Sequence, residues 1–321
     1  MNLERFQPAR VVIVGTGNVG STFAYTLLLS GLAAEIVLLD VNQVKAEGEA
    51  MDLEHAIPFA HPTQIRTGTY ADCAQAAVIV ITAGAAQKPG ESRLDLVDRN
   101  GAILRQIIPQ ITRQKPGGIL LITTNPVDVM TYAVWKLSGL PAQRVIGSGT
   151  ILDTARFRYL LSQYCGVDPH SVHAHIIGEH GDSEVPVWSL ANIAGMHLPD
   201  FCTSRGVDYD QSRMDQLFSK TRDAAYEIIK RKGATYYAVA AGLTRIVEAV
   251  LRNQKTMLSV SSLIQDYYDF KDVCFSLPAV ISQAGVEWVL RLDLNPEEIE
   301  QLRHSVQVLK KAIIELKLEE K

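Results

Sequence analysis

Arg10-Val11-Val12-Ile13-Val14-Gly15-Thr16-Gly17-Asn18-Val19-Gly20 is the stretch that decides the fold. Its apolar run is too short for a core helix and ends abruptly in glycine, so it reads as a buried strand. Val19, Phe23 and Leu27 then recur on one helical face. A strand that turns through Gly-x-Gly-x-x-Gly into a helix is built for a pyrophosphate. Gly15 allows the tight turn, Gly17 lets the backbone approach the anion, and Gly20 lets helix and strand pack closely. Asn18 and Val19 lie between these glycines at the helix N-terminus, where the dipole favours negative charge. Asp40, at the end of the next apolar run, offers a carboxylate to a ribose hydroxyl. That charge repels a 2′-phosphate, and Val41-Asn42-Gln43 supplies no Arg to compensate, so NAD is favoured over NADP. On the motif alone, a flavin or a glycine turn in an unrelated α/β protein remains open.

The same rhythm extends outward from this motif. Strands are predicted at Val11–Val14, Glu35–Leu39, Gln64–Gly68, Ala77–Thr82, Ile119–Thr123 and Arg144–Gly147, alternating with amphipathic helical stretches. Such nearly continuous apolar strands belong in a parallel sheet covered on both faces, a doubly wound α/β arrangement. After Gly149 the alternation stops. A helix is expected over Leu152–Tyr164, single strands over Val172–Ile177 and Val185–Asn192, and further strands around Leu258–Leu263 and Val273–Val280. Asp208–Asn253 reads as mostly helical, divided or kinked at Gly233 or Gly242. Asn295-Pro296-Glu297-Glu298 carries an N-cap, a proline at the first helical position and a capping-box Glu. Ile299, Leu302, Val306, Leu309, Ile313 and Leu316 follow at helical spacing. The expectation is therefore a dinucleotide-binding domain over 1–148 and an α+β substrate domain over 149–321.

Composition removes several function classes. Thirty-one Lys and Arg against 35 Asp and Glu leave a net charge of −4, which argues against general affinity for nucleic acid or an anionic membrane. With 47% hydrophobic residues over 321 positions, the core needs no staples. Cys73, Cys165, Cys202 and Cys274 form no Cys-x-x-Cys pair, so neither a disulfide framework nor a Cys-based zinc site is indicated, and no metal is expected. The N-terminal residues lack the basic start and apolar stretch of a secretory signal. The expected location is the cytoplasm.

Chemistry-bearing residues cluster in four further segments. His180, in Ile177-Gly178-Glu179-His180-Gly181-Asp182, follows a strand and is flanked by glycines that leave room for a ligand. A lone histidine is more often structural, so its partners decide. Asp153 and Arg156 lie at i and i+3 on one helical face. If Asp153 orients His180, the carboxylate stabilises imidazolium and makes a proton donor near neutral pH. Arg156 is then available to clamp a substrate carboxylate with paired hydrogen bonds. The alternative is a plain surface ion pair. The polar segment from Ala85 to Arg93, centred on Pro89-Gly90, reads as a closing loop, with Arg93 able to polarise a carbonyl or simply to stay solvated. Asn125 stands at the carboxyl end of the fifth strand, where ligands of open α/β sheets bind.

Taken together, these motifs resemble the L-lactate dehydrogenase and malate dehydrogenase family, its bacterial L-lactate members above all, from about Ala9 to the C-terminus. The matching stretches are Gly15–Gly20 with Asp40, Gln87–Arg93, Thr124–Asp128, Ile151–Tyr159 and Ile177–Asp182. The resemblance implies a Rossmann sheet, with NAD as cofactor and hydride transfer between NADH and the carbonyl carbon of a 2-keto acid. It implies that His180 gives and takes the proton, with Asp153 orienting it. Arg156 would anchor the substrate carboxylate and Arg93 would polarise the carbonyl. Asn125 would bind near the reacting oxygen, Ser148 would contact the nicotinamide amide and Thr235 would confine a small substrate side chain.

Malate dehydrogenases of the family typically carry Arg where this sequence has Gln87, so Gln87 points to pyruvate and L-lactate. A pocket without that Arg would leave a second carboxylate unpaired, at a cost of several kcal/mol. Ala86 departs from the Asn often found before the Gln. A malate or broader 2-hydroxyacid dehydrogenase is the alternative, and a catalytically silent NAD-binding protein is the reading from another class. Arg158 and His173 match positions that bind fructose 1,6-bisphosphate across a subunit interface in allosteric members; otherwise they simply pack or form ion pairs. The family is usually tetrameric, and with a short segment before the first strand a dimer–tetramer equilibrium is equally open.

Overall fold

The computed structural model describes residues 9–85 and 93–316, and of Arg93 and Leu94 the backbone alone. The first half runs β1 (Arg10–Val14), α1 (Asn18–Ser30), β2 (Glu35–Leu39), α2 (Gln43–Ala56), β3 (Gln64–Thr67), β4 (Val78–Ile81), α3 (Arg93–Thr112), β5 (Ile119–Ile122), α4 (Val127–Ser138) and β6 (Val145–Gly147). These six strands pair in parallel in the order β3-β2-β1-β4-β5-β6. The order reverses between β1 and β4, and at such a switch point the loops diverge and leave a crevice at the carboxyl ends of the strands.

Side-chain alternation explains the uninterrupted apolar strands. Val12 and Val14 of β1, Ile79 and Ile81 of β4, and Leu120 and Ile122 of β5 enter one core with α3 and α4. Val11 and Ile13, Val78 and Val80, and Ile119 and Leu121 enter the opposite core with α1 and α2. Because successive residues point to opposite faces and both faces are covered, no position in these strands has to be polar.

The second half comprises α5 (Ile151–Cys165), β7 (Val172–His173), β8 (Ile176–Ile177), β9 (Val185–Pro186), β10 (Asn192–Ile193), β11 (Met196–His197), α6 (Leu198–Arg205), α7 (Gln211–Lys232), α8 (Tyr237–Leu251), β12 (Thr256–Ile264), β13 (Val273–Ser282), β14 (Gly285–Val289) and α9 (Pro296–Glu315). It completes the first half's sheet. Strand β12 pairs antiparallel with β6 at Ser261 and Gly147, and β13 and β14 continue outward to give nine strands. Leu243, Ile246 and Val247 of α8 join the α1 core, while Leu302, Val306 and Leu309 of α9 join the α3–α4 core.

Several expectations are corrected. Val172–Ile177 is two short strands in different sheets, β7 pairing with β10 and β8 with β9. At this junction the backbone is satisfied by α5: Arg158 Nε donates to the carbonyl of Ala174 between the strands at 2.8 Å, and the N–H of Ile176, the first residue of β8, donates to Thr154 Oγ1 at 3.1 Å. Val185–Asn192 likewise divides into β9 and the start of β10. The long helical stretch breaks at Gly233, whose N–H caps α7 by donating to the Ile229 carbonyl, whereas Gly242 lies inside α8. The elements β11, β14 and α6 are additional to the sequence reading. The closing helix forms as expected: Asn295 and Glu298 exchange hydrogen bonds of 2.9 and 3.0 Å in a capping box, and Glu298 also accepts from Ser189 of the β9–β10 connection. Among the described residues no helix is long and apolar enough to cross a membrane.

Candidate active site

The glycine loop sits at the switch point. Gly15 has φ +107°, and a Cβ there would lie 2.6 Å from the Ala83 nitrogen, so the turn after β1 admits no side chain. A Cβ on Gly20 would be driven into the Gly15 carbonyl oxygen, whereas one on Gly17 would meet nothing within 4 Å. The loop is thus closed toward the sheet and open at Gly17. Gly17 is also the N-cap of α1 and supplies no side-chain cap, so the first-turn N–H groups around Asn18 and Val19 stay available to an anion. Asp40 accepts from Thr16 N–H at 2.6 Å and Thr16 Oγ1 at 3.0 Å, and from Asn42 N–H at 2.9 Å. Burial alone would raise this carboxyl; the Thr16 and Asn42 hydrogen bonds and Lys45 outweigh it and hold it below the ordinary value. The ionised acid is therefore fastened to the loop. An open phosphate cradle beside a fixed carboxylate fits a dinucleotide with a free ribose hydroxyl.

The second constellation is built from side chains. Asp153, in the first turn of α5, has 3% of its side chain exposed. Its Oδ2 lies 2.5 Å from His180 Nδ1, and its Oδ1 accepts from Arg156 Nη1 at 3.0 Å. The structure thus brings His180, Asp153 and Arg156 together. Burial pulls the imidazole toward its neutral form, but the charge and hydrogen bond of Asp153, aided by Asp128 and Glu184, prevail and raise it to about 9. For Asp153, burial favours the neutral acid, yet His180 and Arg156 keep the carboxyl below its ordinary value. His180 is 26% exposed, and among the described residues its Nε2 makes no hydrogen bond. A protonated imidazole held by one nitrogen can deliver a proton from the other.

The loop carrying His180 is tied down on three sides. Gly178, at φ +84°, exchanges backbone hydrogen bonds of 2.9 Å with Ser276 of β13, and Ser305 of α9 would block any Cβ there. Glu179 N–H donates to Ser305 Oγ at 2.8 Å. His180 N–H donates to Asp128 Oδ2 at 2.7 Å. Asp128 is buried in the first turn of α4, and the sequence reading assigned it no role. An acid at a helix N-terminus looks like an ordinary dipole partner, so its pattern gives no hint of a contact 52 residues away.

Asn100 is the other residue missed. Buried in α3, it accepts from Ala85 N–H at 2.8 Å and donates to the Asn125 carbonyl at 2.7 Å. It clips the chain leaving β4 to the exposed Asn125 after β5. Ser148 follows β6, its N–H bonded to the Ile122 carbonyl at 2.8 Å and its hydroxyl 3.5 Å from that of Thr123. Thr235 lies between α7 and α8, half-buried. Arg93 opens α3, its side chain outside the description, and residues 86–92 of the expected closing loop, Gln87 among them, lie outside the described residues. Arg158 and the exposed His173 both act on His175, whose imidazole is driven down to about 4 by burial, then by Arg158 and His173. These three basic groups therefore share one neighbourhood.

Comparison with known proteins agrees with this geometry. Residues 9–147 match the lactate/malate dehydrogenase NAD binding domain, and residues 150–320 the lactate/malate dehydrogenase alpha/beta C-terminal domain. The chain is 53% identical over 308 residues to a probable L-lactate dehydrogenase of Schizosaccharomyces pombe, covering 96% of this chain and 93% of that one. It is 52% identical over 304 residues to an L-lactate dehydrogenase of Acetivibrio thermocellus, covering 95% and 96%. Among solved structures, a lactate dehydrogenase from a Medee basin deep-sea metagenome library superposes with a TM-score of 0.94 at 45% identity, covering 97% of this chain and 99% of that one.

Proposed function

Because the chain belongs to the lactate/malate dehydrogenase family, and is thus an NAD-dependent oxidoreductase, we propose that it interconverts pyruvate and L-lactate. The curated relatives named above, one an L-lactate dehydrogenase and one a probable L-lactate dehydrogenase, support that substrate, as does the neutral Gln87, which would leave a second substrate carboxylate without a cationic partner at that position. The observation that carries the chemistry is the contact between His180 Nδ1 and a buried Asp153 that is itself paired to Arg156.

In this reading, residues 1–148 hold the cofactor and residues 149–321 the catalytic groups. Gly15, Gly17, Asn18, Val19 and Gly20 would hold the pyrophosphate, Asp40 would accept from the ribose, and Asn125 and Ser148 would hold the nicotinamide. The cofactor held there would supply the hydride in its reduced form, NADH, or accept it in its oxidised form. His180 donates its Nε2 proton to the carbonyl oxygen of pyruvate, and Asp153 keeps the imidazole oriented and stabilises its charged form. Arg156 grips the substrate carboxylate. Arg93 polarises the carbonyl and Thr235 limits the room for the substrate's methyl group. Operation in the cytoplasm, in the fermentative reduction of pyruvate that follows glycolysis, belongs to the same proposal.

Activation by fructose 1,6-bisphosphate is the finer part of the reading. Arg158 and His173 repeated across a subunit interface would offer four basic groups to two phosphates, and a ligand bridging subunits favours the assembled tetramer over the dimer. The test is the initial rate of NADH oxidation with pyruvate and with oxaloacetate, each with and without the sugar bisphosphate, in the wild type and in Arg158→Gln. Pyruvate should be strongly preferred, and activation should disappear in the variant. Preference for oxaloacetate would overturn the substrate assignment, and a wild type indifferent to the bisphosphate would overturn the effector site.

A further inference from the structure

Glu184 is a buried acid beside His180 to which the mechanism above gives no task. It lies just before β9, at the end of the turn that begins at His180, and its N–H donates to the Gly181 carbonyl at 3.1 Å. Pairing of Ile177 with Val185 folds the turn back on itself. Glu184 is only 6% exposed, and one carboxyl oxygen lies with ligating atoms of Asp153 and His180 in a cluster spanning no more than 4.8 Å. Its Oε1 is sealed from solvent and has no hydrogen-bond partner among the described residues.

Two buried carboxyls and one imidazole at this spacing could hold a metal ion, but two features oppose it. Asp153 already gives one oxygen to His180 and the other to Arg156, and Arg156 would repel the ion. The arrangement suits protons better. Facing Glu184 are Asp153 and Arg156 from α5, His180 from its own turn and Arg222 from α7, while Asp128 from α4 faces His180. An ionised Glu184 is repelled by Asp153, and its Oε1 finds no donor among the described residues, so its charge depends on the cations facing it, His180 first and then Arg156 and Arg222.

We propose that Glu184 is a positioning residue for proton transfer, its sealed carboxyl and the Asp153–His180 pair titrating as one unit so that the imidazole stays protonated into alkaline solution. Burial, reinforced by Asp153, pushes the Glu184 carboxyl up to about 9, the same range as the imidazole. As pH rises, the negative charge appears on Glu184 where it holds the proton on His180. This rests on the reading of His180 as the proton donor, and it extends the pH range in which a keto acid can be reduced.

The test is an NMR titration of protein carrying 13C in its histidine rings and glutamate carboxyls, with His180 assigned by the resonance lost in His180→Asn. In Glu184→Gln the His180 midpoint should fall by about one pH unit, while Glu184→Asp, which retains a carboxyl, should restore part of the shift. Coincident midpoints in the wild type and Glu184→Gln would overturn the proposal. In the wild type itself, a glutamate carboxyl must follow the imidazole through the same alkaline step, and the absence of that coupled step overturns the proposal even if the variant does not fold. In parallel, the alkaline limb of kcat/KM for pyruvate reduction should move down in Glu184→Gln. A wild type inactive on pyruvate would sink the substrate reading and leave the titration result standing on its own.

Discussion

The glycine loop and the His180 centre are made of different materials. At the loop, the parts proposed to hold the cofactor are backbone: a Gly15 at φ +107°, a Gly17 with open space around it, and helix N–H groups, with Asp40 as the charged side chain tied to them. At the centre, Asp153, Arg156, His180, Glu184 and Asp128 converge from α4, α5 and one turn, and their chemistry consists of mutual charge. At Gly15 and Gly20 the loop cannot tolerate added atoms, because the Ala83 backbone and the Gly15 carbonyl occupy the space, whereas Gly17 is open. The centre should tolerate atoms but not a change of charge, because each group's protonation depends on its neighbours.

The sharpest way to break this contrast is His180→Asn, whose amide can still donate to Asp153 but cannot carry the proton. Turnover should fall by about a thousandfold while the dissociation constant for NADH, read by fluorescence titration, barely moves. Equal losses in both would make the histidine structural and erase the division between the two regions. Gly20→Ala is the converse. A Cβ there has no space against the Gly15 carbonyl, so the dissociation constant for NADH should rise at least about tenfold, with turnover at saturating NADH falling far less than in His180→Asn. Unaltered NADH affinity would mean that the loop can shift, and that shape is not what it contributes.

The smallest effect sharpens the comparison through pH. The His180 imidazole is raised from 6.5 to about 9 in the folded chain. The stability it contributes is therefore fully present below pH 6.5 and is lost as pH rises through about 9. Glu184, raised from 4.5 to about 9, acts in the same direction. A melting temperature followed between those limits should fall by a few degrees in the wild type and by less in His180→Asn. Parallel curves would show that the charge cluster is not linked to folding, leaving the two regions alike in this respect.

Legibility in the sequence follows the same division. The glycine loop and Asp40 were readable because a turn, a helix start and a strand end are local, and the residue types they require are few. His180, Asp153 and Arg156 were readable from spacing and from resemblance, although their meeting was an inference. Asp128 and Asn100 were not, since a buried acid in a helix N-terminal turn and an Asn within α3 look unremarkable until His180 N–H and Ala85 N–H are found against them. The strand boundaries in the second half were misjudged for a related reason. Val172–Ile177 has the composition of one strand, but Arg158 and Thr154 of α5 satisfy its backbone in the middle and redirect it into two sheets.

By itself the sequence determined the parallel sheet, the glycine loop, NAD as the cofactor and the capped closing helix, all of which depend on periodicity or on residues adjacent in the chain. Only the tertiary structure decided that β12–β14 extend the first sheet and that α9 anchors the His180 turn through Ser305. It also placed Glu184 in the sealed space beside Asp153 and His180. Strand order, burial and proton sharing depend on which groups become neighbours when the chain closes on itself, and water leaves those neighbours with only each other to interact with.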